Sequence, residues 1–131
     1  MPRIINHEAL LVTSLIQAGV IDARGFSLNV SNYKTTESNV AYGNAVNAVL
    51  RQQLGITKSF VIDTSRNGNG PYGTTWCDPP GRKLGLTSNE NITGVQPEMT
   101  LWIKPPGNAD GCAAPAGTFV PNIAYHLIFG Y

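Results

Sequence analysis

The stretch SFVIDTSRNGNGP, residues 59–71, joins a short apolar run to a loop of turn-forming residues. Residues 60–62 are aromatic or β-branched, which is typical of a buried β-strand. The run ends at Asp63, and the loop after it carries Arg66 among Asn and Gly residues. In parallel α/β folds, ligands gather at the carboxyl ends of the strands. This stretch therefore predicts a strand that delivers polar side chains to a site.

The flanking sequence alternates between helical and strand patterns. Helical spacing of apolar residues, or a short apolar run, predicts helices at residues 6–19, 36–54 and 122–129, the first with Asn6 as N-cap. Alternation in GFSLNVSNY and the apolar run TLWI add strands within residues 25–33 and at residues 100–103. The sequence thus predicts an α/β fold, a parallel sheet or barrel of about three strands with flanking helices. Two long loops, residues 64–98 and 104–121, complete a single unit spanning residues 1–131.

Composition excludes several kinds of partner. Nine Lys and Arg residues against eight Asp and Glu, with no basic run, argue against binding to nucleic acid or to an anionic membrane. The longest apolar stretch, residues 9–12, is too short to cross a membrane, and nothing resembles a signal peptide. Either a signal peptide lies outside this chain, or the protein has none.

The two cysteines, Cys77 and Cys112, lie in Gly/Pro-rich loop sequence. Neither has the Cys/His spacing of a metal site, so we expect no metal. We also expect no cofactor, because the G-x-G-x-x-G run at residues 68–73 contains Pro71 and is not followed by the helix that a dinucleotide site needs. A disulfide is the simplest interpretation, and two free thiols are the alternative. Two glycosylation sequons, at Asn29 and Asn91, are compatible with secretion.

Each predicted strand ends in polar side chains. The three groups are Asn29, Ser31, Asn32 and Tyr33; Asp63, Ser65 and Arg66; and Lys104, Asn108 and Asp110. Solvated loop ends would account for any one group, but three groups at one edge indicate a site. There Arg66 and Lys104 would pair with Asp110 and hold it ionised by lowering its pKa.

Two tryptophans have different predicted roles. Trp76 lies in a loop of small residues, where an exposed indole can stack on a sugar ring, and Asn, Asp, Lys and Arg can bind the sugar hydroxyls. Trp102, inside a predicted strand, is more typical of a core residue. Together with the polar groups, Trp76 favours carbohydrate binding.

Five longer motifs, in order along the chain, carry a resemblance to a known family: GFSLNVSNY, VIDTSRNGNGP, WCDPPGRKLG, LWIKPPGNADGC and AGTFVP. They resemble the C-terminal half of a glycoside hydrolase family 6 catalytic domain, the family of cellobiohydrolases and endoglucanases. The resemblance implies a distorted parallel β/α barrel, secretion and a disulfide between Cys77 and Cys112. It also implies hydrolysis of β-1,4-glucosidic bonds in cellulose with inversion.

The resemblance also implies roles for individual residues. Asp110 matches the carboxylate proposed as general base or as a charge partner of the site, and Arg66 and Lys104 match its cationic partners. Trp76 matches a sugar-stacking residue, and Asn32 lies in a motif that lines the cleft. Lys104 and Asn108 fall among the substrate-binding positions. Asn108 stands where the family usually has Glu, which predicts a weaker sugar contact.

The general acid that inversion requires has no match in this chain. In the family that residue belongs to the first half of the barrel, so we expect a partner for this chain besides its β-1,4-glucan substrate, cellulose or cello-oligosaccharides. That partner would be a complementary N-terminal half, or a second copy joined through an exposed sheet edge. The alternative function is a non-catalytic glucan-binding or structural protein, and exo and endo action are not distinguished by these residues.

Overall fold

Three α-helices, one short 3-10 turn (Val20–Asp22) and four strands make up the described part of the computed structural model, residues 7–90 and 97–131. In chain order the α-helices and strands are α1 (His7–Gln17), β1 (Gly25–Leu28), α2 (Thr36–Leu54), β2 (Ser59–Asp63), β3 (Asn89–Glu90), β4 (Met99–Leu101) and α3 (Pro121–Phe129). The predicted alternation of helix and strand is confirmed, while the predicted N-cap Asn6 lies outside the described residues. None of the helices in this part of the chain is both long enough and apolar enough to span a membrane.

The four strands form one sheet in the order β1-β2-β4-β3. Strands β1, β2 and β4 are parallel, as predicted, with Leu28 opposite Ile62 and Ile62 opposite Thr100. The short strand β3 pairs antiparallel with β4. Because β1, β2 and β4 run in one direction, the loops that follow them leave from the same edge of the sheet.

The core lies between the sheet and helices α1 and α2. Its buried apolar side chains are Val12, Val20, Phe26, Leu28, Val46, Leu50, Phe60 and Ile62. Helix α2 approaches the sheet closely, since a Cβ atom on Gly43 would lie 2.5 Å from the ring of Phe60. The side chain of Thr35 caps this helix by accepting the Ser38 N–H at 3.2 Å, and Gly55 ends it in the left-handed conformation.

The first strand is shorter than its apolar alternation predicts. It ends at Leu28 because Asn29 and Ser31 adopt φ angles of 64° and 59°, which no β-strand accommodates. Val30, expected to continue the buried face, is 48% exposed. The chain therefore turns sharply at the carboxyl end of β1.

The predicted loop 64–98 contains one element that the sequence did not indicate, the two-residue strand β3. The third parallel strand is Met99–Leu101, so Trp102 follows the strand instead of lying inside it. Trp102 is half-buried, and its indole N–H donates to the Leu86 carbonyl at 2.8 Å. This bond fastens the long loop beside the end of β4.

Candidate functional site

A buried carboxylate joins the three loops at the carboxyl edge of the sheet. Asp63, the last residue of β2, has no exposed surface. One of its oxygens accepts the Ser65 N–H at 2.9 Å, and the other accepts the Ser31 N–H at 2.9 Å and the Lys104 N–H at 3.1 Å. These donors follow β2, β1 and β4 respectively, so a single side chain holds all three loop starts together. These bonds make Asp63 a structural acceptor of loop amides.

Asp110 lies in a cluster with two cations, as predicted. Its Oδ2 is 2.7 Å from Arg66 Nη1, and its Oδ1 is 3.0 Å from Lys104 Nζ. The exposed fractions of the side chains of Asp110, Arg66 and Lys104 are 7%, 4% and 13%. The three residues therefore form a nearly buried ionic cluster, in which the interactions are screened far less than on an open surface.

The pKa of Asp110 reflects two opposed effects. Burial acts to raise it, but hydrogen bonds from Arg66, the Asp78 amide, Lys104 and Tyr33 outweigh burial. The pKa of the carboxyl group is consequently lowered well below its usual range. Asp110 is therefore an anion at neutral pH.

Tyr33 connects this cluster to the loop that carries Trp76. The tyrosine is buried, its ring lies 4.4 Å from the guanidinium carbon of Arg66, and its hydroxyl is 2.8 Å from Asp110 Oδ2 and 2.9 Å from the Trp76 carbonyl. Burial, and then the hydrogen bond to Asp110, raise the pKa of the Tyr33 phenol. From the sequence, Tyr33 was predicted only as one of the polar residues after the first strand, and the available signal was a large aromatic residue within that polar group.

The Cys77–Cys112 disulfide is present, with the two Cα atoms 5.8 Å apart. It joins the two long loops beside Asp110. Asp78 and Cys112 with Cys77 bring potential metal-ligand atoms within 4.8 Å of one another, but both sulfur atoms are committed to the disulfide and are not thiolate ligands. The local cluster is thus a covalent junction between loops.

Asp78 makes a second, non-covalent junction at the same place. Its carboxylate accepts N–H groups from Asp110, Cys112 and Ala113 at 2.8–2.9 Å, and its own N–H donates to Asp110 Oδ2 at 3.0 Å. Asp78 was not predicted to belong to the site. The signal that was available is its position directly after Cys77, since the bridge brings it to the segment around Cys112.

The predicted sugar-binding residues lie on the loops around this cluster and differ in exposure and in hydrogen bonding. Trp76 is 66% exposed, as a stacking platform requires, while its carbonyl is anchored by Tyr33. Asn32 is exposed, and its side-chain oxygen accepts the Tyr33 N–H at 2.8 Å. Asn108 is half-buried and pairs through its backbone with Phe119. The fold therefore attaches these residues to loops that leave one edge of the sheet.

The sequon asparagine that follows β1 has a structural use. The side-chain nitrogen of Asn29 donates to the Asp63 carbonyl at 2.9 Å and to the Lys34 carbonyl at 3.1 Å. A glycan on that nitrogen would leave one N–H for these two acceptors, so glycosylation of Asn29 would remove at least one of the bonds. The second sequon asparagine, Asn91, lies outside the described residues.

Comparison with known proteins gives consistent matches. The model of the Glycosyl hydrolases family 6 matches residues 3–123. Endoglucanase 1 of Streptomyces halstedii is 52% identical over 128 residues, which cover 94% of this chain and 39% of that protein. Endoglucanase A of Thermobispora bispora is 50% identical over 106 residues, which cover 80% of this chain and 22% of that protein.

A solved structure shows the same architecture. The endoglucanase Cel6 of Mycobacterium tuberculosis, in complex with methyl-cellobiosyl-4-deoxy-4-thio-β-D-cellobioside, superposes with a TM-score of 0.84 at 38% identity. The match covers 98% of this chain and 44% of that one. The chain thus spans well under half the length of the relatives that it matches.

Proposed function

The chain belongs to glycosyl hydrolase family 6, and from that membership we propose that it supplies the Asp110 side of an inverting cellulase site. The reaction is the hydrolysis of β-1,4-glucosidic bonds in cellulose or cello-oligosaccharides. The observation that carries the proposal is the buried Asp110 carboxylate, held ionised by Arg66 and Lys104 beside a loop that exposes Trp76.

The role that suits Asp110 best is that of a charge partner. A general base works most efficiently when its pKa lies near the operating pH, and the pKa of Asp110 is lowered well below that range. A fixed carboxylate anion in a nearly buried site can instead stabilise the positive charge that develops on the sugar ring in the transition state. If Asp110 does accept a proton from water, its hydrogen bonds to Arg66 and Tyr33 must first weaken.

The proposed substrate contacts divide into stacking and polar groups. The exposed indole of Trp76 offers a flat apolar face for a pyranose ring. Asn32, Lys104 and Asn108 offer amide and ammonium groups for sugar hydroxyls. Asn is shorter than Glu and uncharged, so Asn108 provides a weaker acceptor than the family's usual residue. The substrate class is supported by the thio-linked cello-oligosaccharide in the M. tuberculosis relative.

We further propose that the general acid comes from a complementary half of the barrel. Inversion needs a protonated carboxyl about 6.5–9.5 Å from the second carboxylate, and the described aspartates other than Asp110 are committed or remote. Asp63 and Asp78 each accept three backbone N–H groups, and Asp22 lies in a 3-10 turn before β1.

Strand β1, which pairs only with β2 among the described strands, offers an edge for that half or for a second copy of the chain. Secretion is part of the same proposal, since the disulfide requires an oxidising compartment.

Calorimetric titration of the purified chain with cellotetraose, together with reducing-sugar release from soluble β-glucan, tests the proposal. We expect binding that Trp76→Ala weakens at least tenfold, while Tyr72→Ala, at another exposed aromatic in the same loop, leaves it unchanged. Any sugar release by the chain, alone or with an added N-terminal half of a relative, should disappear in Asp110→Asn. Binding without release in every mixture would favour the non-catalytic glucan-binding function, and absence of binding would refute the sugar site.

A further inference from the structure

The strongest unassigned feature is the reciprocal contact between Asp78 and Asp110. The Asp78 carboxylate accepts the Asp110 N–H at 2.8 Å on one oxygen. Its other oxygen accepts the N–H groups of Cys112 and Ala113 at 2.9 Å and 2.8 Å. In return, the Asp78 N–H donates to Oδ2 of Asp110 at 3.0 Å. Two acidic residues, 32 positions apart, thus hold one another through backbone groups.

The chemistry of this contact requires aspartate. Both carboxylate oxygens of Asp78 face N–H donors, so an asparagine would direct its own NH₂ group at one or two of them. A glutamate would keep the charge, but its extra methylene would carry the oxygens away from their donors. The backbone of Asp78 has a φ of 48°, a left-handed conformation that few residues other than Gly, Asn and Asp adopt readily. Non-glycine residues in this conformation persist where the surrounding contacts over-determine them.

The disulfide alone does not replace this contact. It fixes Cys112, two residues beyond Asp110, while rotation about the bonds in between leaves the Asp110 carboxylate free to change direction. The bond to the Asp110 N–H fixes the backbone from which that carboxylate projects. Asp78 therefore restrains the bonds that the disulfide leaves free.

We propose that Asp78 is a positioning residue, which directs the Asp110 carboxylate toward Arg66, Lys104 and the sugar site. The expected effect of Asp78 on sugar binding rests on the proposed function. Its expected effect on the direction and pKa of the Asp110 carboxylate does not. The low pKa of Asp110 supports it, since the Asp78 N–H is among the hydrogen bonds that lower that value. Asp78 acts through Asp110 and has no contact of its own with the reaction.

The test compares two substitutions that separate charge from geometry. Asp78→Asn removes the charge and one acceptor, while Asp78→Glu keeps the charge and displaces both oxygens. Asp22→Asn, at an exposed residue of the 3-10 turn, is the matched control. The sequence has four aspartates, so carboxyl ¹³C labelling of aspartate gives four signals, and Asp110→Asn assigns the one of interest. The titration of that signal and the affinity for cellotetraose are measured on each folded variant.

We expect the Asp110 signal to titrate at least one pH unit higher in Asp78→Glu than in the unsubstituted chain, a tenfold change in proton affinity. Cellotetraose binding should weaken about tenfold in both Asp78 variants and remain unchanged in Asp22→Asn. Unchanged titration of Asp110 in a folded Asp78→Glu chain would overturn the inference. If the unsubstituted chain binds no cellotetraose, the proposed function fails, and the titration still decides the role of Asp78.

A milder variant covers the case in which the Asp78 variants do not fold. Ala113→Pro removes one of the three N–H donors from an exposed part of the loop and leaves the Asp78 side chain in place. We expect the same upward movement of the Asp110 titration, but smaller. No movement in Ala113→Pro, with the Asp78 variants unfolded, would assign Asp78 a role in folding alone and overturn the inference.

Discussion

Substitution of Asp63 by Asn tests whether one buried carboxylate organises the carboxyl edge of the sheet. The substitution keeps the size of the side chain but leaves one acceptor oxygen. The best orientation retains the N–H groups of Ser31 and Lys104 and turns the new NH₂ group toward the Ser65 N–H. An unsatisfied buried donor costs about 1–3 kcal/mol, and two bonds to a charged acceptor become neutral ones at a cost of about 1 kcal/mol each. Because the amide avoids the cost of a buried charge, we expect a net loss of about 3 kcal/mol.

Urea denaturation of the oxidised chain measures this loss, and a loss of that size corresponds to a fall of about 10 °C in Tm for a domain of this length. Asp22→Asn is the control, because Asp22 is exposed and its substitution should change stability by less than about 0.5 kcal/mol. Amide spectra should show the largest changes at Ser31, Ser65 and Lys104. A stability equal to that of Asp22→Asn, or spectral changes confined to the loop after β2, would refute the role given to Asp63.

Three further predictions follow from the core, the disulfide and the ionic cluster. Gly43→Ala should lower the free energy of unfolding, measured in urea, by about 1–2 kcal/mol, because overpacking against Phe60 outweighs the gain of about 1 kcal/mol in helix propensity. A more stable Gly43→Ala chain would contradict the close approach of helix α2 to Phe60. Joint replacement of Cys77 and Cys112 by Ser should lower the unfolding free energy by about 4 kcal/mol, from the loop-closure entropy of 35 positions; unchanged urea midpoints would contradict it. Because folding lowers the pKa of Asp110, its ionised carboxylate contributes fully to the free energy of unfolding above the unfolded pKa of about 3.9. That contribution is lost as pH falls toward the folded value. Urea midpoints between pH 2.5 and 7 should therefore fall more steeply on the acid side in the unsubstituted chain than in Asp110→Asn, and parallel profiles would contradict the cluster.

Much of the fold was predictable because its signals are local. The limits of α2 follow from helical spacing that ends at Gly55, and β2 follows from its apolar run. The end of β1 was not predictable from its alternation, because a tertiary contact decides it. Asp63 takes the Ser31 N–H, and this bond accompanies a left-handed turn that leaves Val30 exposed. The alternation of side chains within one segment does not predict that its backbone N–H will donate to a carboxylate far away in the sequence.

The same distinction separates the predicted and the missed parts of the site. Arg66, Lys104 and Asp110 were predictable as a cluster, because strand ends in a parallel sheet share one edge and opposite charges there attract. Asp78 contributes through backbone N–H groups of another loop, and the position of those groups depends on the whole path of both loops. The cysteines still carry part of this information. A bridge between residues 77 and 112 necessarily brings Asp78 near Asp110, and two carboxylates placed side by side in a partly buried site require donors between them. A disulfide flanked by two acidic residues therefore predicts a network of backbone N–H donors at the junction, which is the arrangement that fixes the direction of Asp110.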